Sequence, residues 1–146
     1  MVLQGLQVMT TSKSDWDIDL RYGQDGEESV RQLLTMETVE VKRDRRWKET
    51  GNIYIETSCY YVNERGFKPS GLSVSQATHW AFVLEDLTVI VSKSDLINTV
   101  KEYGRNISCN IEPNVSFGYL ITIDSLLKWQ VEKAERNEFI YGHYPL

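Results

Sequence analysis

The segments Thr38–Lys42 (TVEVK) and Asn52–Tyr60 (NIYIETSCY) decide the predicted fold. Side chains alternate between the two faces of a strand, and both segments alternate in this way, so each predicts a β-strand. We expect the two strands to pair as a β-hairpin with Glu40 opposite Glu56, because this register collects the apolar side chains on one face. Glu40, Lys42 and Glu56 would then share the other face.

Two carboxylates and a lysine on one patch suit phosphate chemistry. Oxygen ligands hold divalent metal ions, and a nearby cation can interact with phosphate. Alternating Glu and Lys are also typical of the solvated face of an antiparallel sheet with cross-strand ion pairs. The hairpin alone favours that simpler interpretation, and the remainder of the chain shifts the balance towards a site.

A basic segment separates the two strands. Lys42–Lys48 (KRDRRWK) carries five cations and one anion. Such a turn beside an acidic site is compatible with a phosphodiester substrate, although a solvated loop has the same composition. The net charge of −5 argues against a broadly basic nucleic-acid-binding surface, but it is compatible with a local basic strip.

Length and composition predict one globular domain over residues 1–146, with 41% hydrophobic and 25% charged residues. The sequence lacks a run of about 20 apolar residues, so no membrane span is predicted. The start of the chain lacks the pattern of a signal peptide. Cys59 and Cys109 are too few for a disulfide framework. We therefore expect a reduced, cytoplasmic protein.

The region before the hairpin predicts a short strand at Asp15–Leu20, a turn at Gly23–Gly26 and a helix that Asp25 caps and that continues to about Met36. Glu27 falls on the same helix face as the apolar residues and could point towards the hairpin acids. Interaction with the helix N-terminus is the simpler explanation of an acid at that position.

After the hairpin, the sequence predicts a short helix ending at His79 and an apolar strand at Trp80–Leu84 that turns into Leu87–Val91. A helix follows from Ser94 to Gly104. The remaining sequence predicts irregular chain over 105–117, a strand at 118–123 and an amphipathic C-terminal helix. The pattern predicts a mixed α/β (α+β) fold with a central mixed β-sheet and helices on both faces. The last helix would bury Leu126, Leu127, Val131 and Ala134.

The order of these elements resembles the PD-(D/E)XK nuclease superfamily, and in particular its small phage-type nucleases. Two blocks carry the resemblance, namely Val39–Asp44 with Glu49–Glu56, and Ser70–Ala77 with His79–Val83. The resemblance covers roughly residues 17 to 92 and implies a restriction-endonuclease-like fold. The usual first acid, an aspartate on the strand before Glu-x-Lys, is absent here.

Two assignments accommodate the missing aspartate. In one, Glu40 and Lys42 form the Glu-x-Lys motif, and Glu27 or Asp19 replaces the missing acid. In the other, which we favour, Glu40 takes the place of the aspartate, Glu56 supplies the acid of the next strand, and Lys42 is the lysine.

The resemblance implies a nuclease, either an endonuclease or an exonuclease, that hydrolyses phosphodiester bonds in DNA, including branched DNA. Glu40 and Glu56, with Glu27 as an outer ligand, would hold Mg²⁺ or Mn²⁺. Lys42 would orient water or stabilise charge on phosphate. Four further cations would contact the DNA backbone: Arg43, Arg45, Arg46 and Lys48.

The resemblance also bears on the oligomeric state of the protein and on alternative functions. Many nucleases of this kind cut two strands with two sites, so a homodimer in the host cytoplasm is plausible for a phage protein. An alternative is a catalytically inactive protein of the same fold that inhibits or adapts a host enzyme. A third interpretation is a structural protein without either activity.

Overall fold

The structure is a computed structural model that describes residues 15–35, 38–111 and 115–141. The chain divides into two compact units, Met1–Glu37 and Thr38–Leu146. Within the described residues, no helix is long and apolar enough to cross a membrane.

Within the described residues 15–35 the first unit forms one helix, α1, which spans Asp15–Thr35. The strand predicted at its start, the turn predicted at Gly23–Gly26 and the N-cap predicted at Asp25 are therefore wrong. Six alternating residues are too few to distinguish a strand from a helix, and a glycine inside a helix costs only about 1 kcal/mol. Glu27 lies in the middle of α1, not in its first turn, and its side chain is exposed together with those of Val30 and Leu34.

The second unit contains two β-sheets. The first has the strand order β1-β4-β5, formed by Val39–Lys42, His79–Leu84 and Leu87–Ser92. Strand β1 pairs with β4 in parallel, with Glu40 opposite Trp80, and β4 forms an antiparallel hairpin with β5.

The second sheet is antiparallel and has the order β3-β2-β7-β6. Its strands are β2 at Asn52–Tyr61, β3 at Gly66–Pro69, β6 at Arg105–Cys109 and β7 at Ser116–Thr122. The predicted hairpin of residues 38–42 with 52–60 is therefore wrong, because its two strands belong to different sheets. The mixed α/β class is confirmed, but two sheets replace the single central sheet that we expected.

In the described part of this unit, residues 38–111 and 115–141, the α-helices are α2 at Trp47–Thr50, α3 at Lys93–Tyr103 and α4 at Ile123–Tyr141. Helix α3 contacts strands of both sheets as well as α4. The buried core accordingly draws on both sheets and both long helices. It includes Ile53, Ile55, Trp80, Phe82, Leu84, Leu96, Val100, Ile121 and Leu126.

The local elements were predicted unevenly. Strands β2, β4, β5 and β7 and helices α3 and α4 are confirmed with shifts of one or two residues at several of their ends. A single 3₁₀ turn at Gly71–Ser73 replaces the predicted short helix, and strand β6 lies within the region expected to be irregular. In α4, Leu126 is buried as predicted, but Leu127, Val131 and Ala134 are exposed.

Asp95 joins α3 to α4. Its carboxylate is buried and accepts hydrogen bonds from Trp129 Nε1 (3.0 Å), Gln130 Nε2 (3.2 Å) and Lys133 Nζ (2.9 Å). Burial alone raises the pKa of Asp95, but these three donors outweigh it and lower the pKa from 3.8 to about 2. The ionised carboxylate therefore stabilises the folded state.

We expect Asp95→Asn to lower the free energy of unfolding at neutral pH by about 2 kcal/mol, since each unit of pKa shift corresponds to about 1.4 kcal/mol. A carboxyl group whose pKa is lowered on folding stabilises the folded state at pH values above its unfolded-state pKa. This stabilisation is lost as the pH falls through its folded-state pKa. The wild-type protein should therefore lose stability between about pH 4 and pH 2, and the variant should lose less.

Urea titrations across this pH range measure the effect. Asp86→Asn, in the exposed turn between β4 and β5, is the matched control and should leave stability unchanged. Equal pH dependence in wild type and Asp95→Asn would contradict the account.

Candidate nucleic-acid interface

Glu40 and Lys42 form an ion pair on strand β1. The Lys42 Nζ atom lies 2.7 Å from Glu40 Oε1 and 5.3 Å from the centroid of the Trp80 ring. The two charged side chains are 35% and 43% exposed, whereas Val41 between them is 62% exposed. We expected Val41 to be on the covered face, and this expectation is wrong.

The pairing of β1 with β4 explains why Val41 is exposed while Glu40 and Lys42 are partly covered. Because β1 runs beside Trp80, the ammonium group of Lys42 can interact with both the carboxylate of Glu40 and the face of the indole ring. A single exposed valine and a partly exposed ion pair are both ordinary on a protein surface. The contact of Lys42 with the Trp80 ring is the feature that sets this pair apart, and it keeps the pair as the candidate site.

Glu56 lies on β2, in the other sheet. Its Oε1 atom accepts a hydrogen bond from Ser70 Oγ at 2.6 Å, and the Ser70 side chain is buried. The Ser70 backbone N–H also donates to the Thr57 carbonyl at 3.0 Å. Gly71 has φ +50°, and a Cβ atom at this position would overlap with the Glu56 carbonyl oxygen. The glycine thus allows the Ser70 loop to pack directly on the backbone of Glu56.

The predicted convergence of Glu40 and Glu56 rested on the hairpin register, and that register is not formed. Among the residues that the structure describes, no three His, Cys, Asp or Glu side chains are grouped so that they could hold a metal ion. Glu27 and the alternative acid Asp19 both belong to α1 in the first unit. The metal-binding roles of these acids remain predictions.

Asp44 holds the basic turn against the second sheet. Its Oδ1 atom accepts a hydrogen bond from the Arg46 backbone N–H at 2.8 Å, and its Oδ2 atom accepts one from the Tyr54 backbone N–H at 3.3 Å. Trp47, which we considered as a base-stacking residue, packs against the core. The exposed cations of the turn are Arg43, Arg45, Arg46 and Lys48.

Three depressions surround this turn, and Asp44 lines all of them. The central one has a volume of about 610 Å³ and includes Lys42 and Arg46 in its lining. A second, of about 510 Å³, extends to Lys48, and a third, of about 530 Å³, extends to Arg105. We call the three together the basic groove. Its cations are Lys42, Arg43, Arg45, Arg46, Lys48 and Arg105.

Three acids lie in or beside the basic groove. Asp44 lines all three depressions, Glu40 is paired with Lys42 at 2.7 Å, and Glu85 lies 4.0 Å from Lys48. The six cations of the groove outnumber these three acids, and this excess of positive charge can attract phosphate groups. Arg105 is an isolated arginine that no sequence motif marks, whereas Asp44 could have been recognised as a residue type that bonds the backbone two residues later.

Comparison with known protein families, with curated proteins and with solved structures finds no match for this chain.

We expect Gly71→Ala to destabilise the protein by about 3 kcal/mol or more, because it combines a strained backbone conformation with an overlap against the Glu56 backbone. Gly51→Ala is a matched control: its φ is +69°, but nothing lies within 4 Å of the added atom, so the cost should be about 1 kcal/mol. Urea denaturation measures both values. Equal losses would show that the Ser70 loop does not pack on Glu56 as described.

Proposed function

We propose that this protein is a nuclease that binds DNA in the basic groove and hydrolyses phosphodiester bonds beside Glu40 and Lys42. One observation carries the proposal. The half-buried ion pair of Glu40 and Lys42 adjoins the groove, since Lys42 lines the central depression together with Arg43, Arg45 and Arg46. A candidate reactive pair and a surface suited to phosphate thus occur together.

The groove would provide affinity without reading the base sequence. Contacts from Arg and Lys to phosphates release counterions and depend strongly on salt concentration. Such a local basic surface suits DNA binding even though the whole chain carries a net charge of −5. Because Asp44 anchors the turn to β2, less ordering would be needed when DNA binds.

The ion pair supplies two complementary chemical groups. The ammonium group of Lys42 would stabilise the negative charge that develops on the phosphate, and the carboxylate of Glu40 would accept a proton from the attacking water. As the water oxygen bonds to phosphorus, the bond from phosphorus to the leaving sugar oxygen would break, and that oxygen would take a proton from solvent. A substrate phosphate near Lys42 would compete with Glu40 for its ammonium group. The carboxylate would then be released to act as a base.

Mg²⁺ or Mn²⁺ is the proposed cofactor, and it would lower the pKa of bound water. Mg²⁺ is commonly held by one or two carboxylates and substrate phosphates, and we propose Glu40 and Glu56 for this role. The described residues fit this only in part, because Glu40 is paired with Lys42 and Glu56 with Ser70. Binding of the ion would therefore require both carboxylates to leave these partners.

A second candidate is a protein that uses the groove for binding alone, as an inhibitor or adaptor of another enzyme. The observation that favours it is the absence, within the described part of the chain, of a group of three side chains suited to a metal ion. Dimerisation, which would bring two sites to two strands, is compatible with either candidate.

The test is cleavage of supercoiled plasmid, single strands and a four-way junction in the presence of Mg²⁺, Mn²⁺ or EDTA. We expect metal-dependent cutting that falls by about a hundredfold or more in Glu40→Gln and in Lys42→Met, since each removes a group acting in the transition state. Lys101→Met, on the exposed side of α3, is the matched control and should cut like wild type.

The outcomes separate the two candidates. Full activity in Glu40→Gln would contradict the proposed centre. The absence of any cleavage by the folded protein would favour the second candidate. If the protein also failed to bind DNA, the role of the groove in DNA recognition would be rejected.

A further inference from the structure

We propose that the depression between Arg46 and Arg105 is a nucleotide subsite, which receives the phosphate and sugar of one nucleotide from a strand lying in the basic groove. This inference rests on the proposed function and extends it to a part of the molecule where the sequence predicted no site. Strand β6, which carries Arg105, was expected to be irregular chain.

The subsite is built by three parts of the second unit. The turn contributes Arg46, strand β2 contributes Asn52 and Tyr54, and the edge strand β6 contributes Arg105 and Ile107. Its volume of about 530 Å³ lies in the range of small-molecule pockets and is ample for one nucleotide unit.

The lining matches the chemistry of a nucleotide. Two guanidinium groups can form bidentate hydrogen bonds with phosphate oxygens, and the Asn52 amide can bond a sugar or base. Ile107 and Leu120 add apolar surface. The Tyr54 hydroxyl is held by Ser116 at 2.9 Å, and burial raises the pKa of Tyr54, so its ring is a neutral, fixed wall.

Arg105 is available for a ligand. It lies exposed on an edge strand and, among the described residues, it forms no salt bridge within 4.0 Å. Arg46 lines both this depression and the central one, as do Asp44 and Tyr54. A strand that contacts Lys42 in the central depression can therefore continue past Arg46 to Arg105.

The experiment measures the affinity of labelled duplex and single-stranded DNA by fluorescence anisotropy across a salt series. Arg105→Ala should weaken binding about fivefold or more and reduce the slope of log K against log salt by about 0.9 for duplex, the value of one lost phosphate contact. Arg105→Lys should preserve the slope because it keeps the charge. The edge position and exposure of Arg105 favour normal folding of both variants, which circular dichroism checks.

Two further variants separate the possible failures. Arg136→Ala removes an exposed arginine of α4 that stacks on Trp129 and lines none of the three depressions, so it should bind like wild type. Arg45→Ala should weaken binding through the central depression. If Arg45→Ala weakens binding and Arg105→Ala behaves like Arg136→Ala, the subsite is wrong and the proposed function stands. If wild type binds no DNA, the proposed function fails and the subsite with it.

Discussion

Backbone hydrogen bonds between β1 and the buried strand β4 determine where the candidate reactive pair lies. Strand β4 buries Trp80, Phe82 and Leu84, so unpaired backbone groups along either edge would be costly. Strand β5 covers one edge and β1 covers the other in parallel. This pairing places Glu40 opposite Trp80 and brings the ammonium group of Lys42 to the indole ring, which explains why the charged face of β1 is more covered than Val41.

Asp44 provides the link from this pair to the basic groove. The chain leaves one sheet at β1 and enters the other at β2, and the two hydrogen bonds of Asp44 fix the path between them. The cations of the turn are therefore presented by an anchored segment, while Trp47 is held in the core. Anchoring keeps Arg43, Arg45 and Arg46 around a depression that also includes Lys42. The side chain of Asp44 thus positions the cations of the turn relative to the sheets.

Local sequence pattern was sufficient for the long, strongly periodic elements and insufficient for the pairing of the strands. Strand β2 and helix α3 were predictable because their apolar periodicity is long and clear. The pairing of β1 was not, since two strands separated by nine residues fit a hairpin as well as two sheets. Glu40 and Lys42 lie two residues apart on one strand, so they are close together whichever strand β1 pairs with. The predicted proximity of Glu56 to this pair depended on the hairpin register, which is not formed. Arg105 joins the groove only through the pairing of β6 with β7, which no local signal indicates.

The most direct test of the central claim is a titration of ¹⁵N-labelled protein with a short DNA duplex, followed by two-dimensional amide NMR without divalent metal. The account predicts shifts at the amides of Lys42, Arg46, Tyr54 and Arg105, with little change along α3 and α4. Those helices carry none of the cations of the basic groove. Shifts confined to α4 or α1, with the turn unaffected, would contradict the claim that nucleic acid binds beside the Glu40–Lys42 pair.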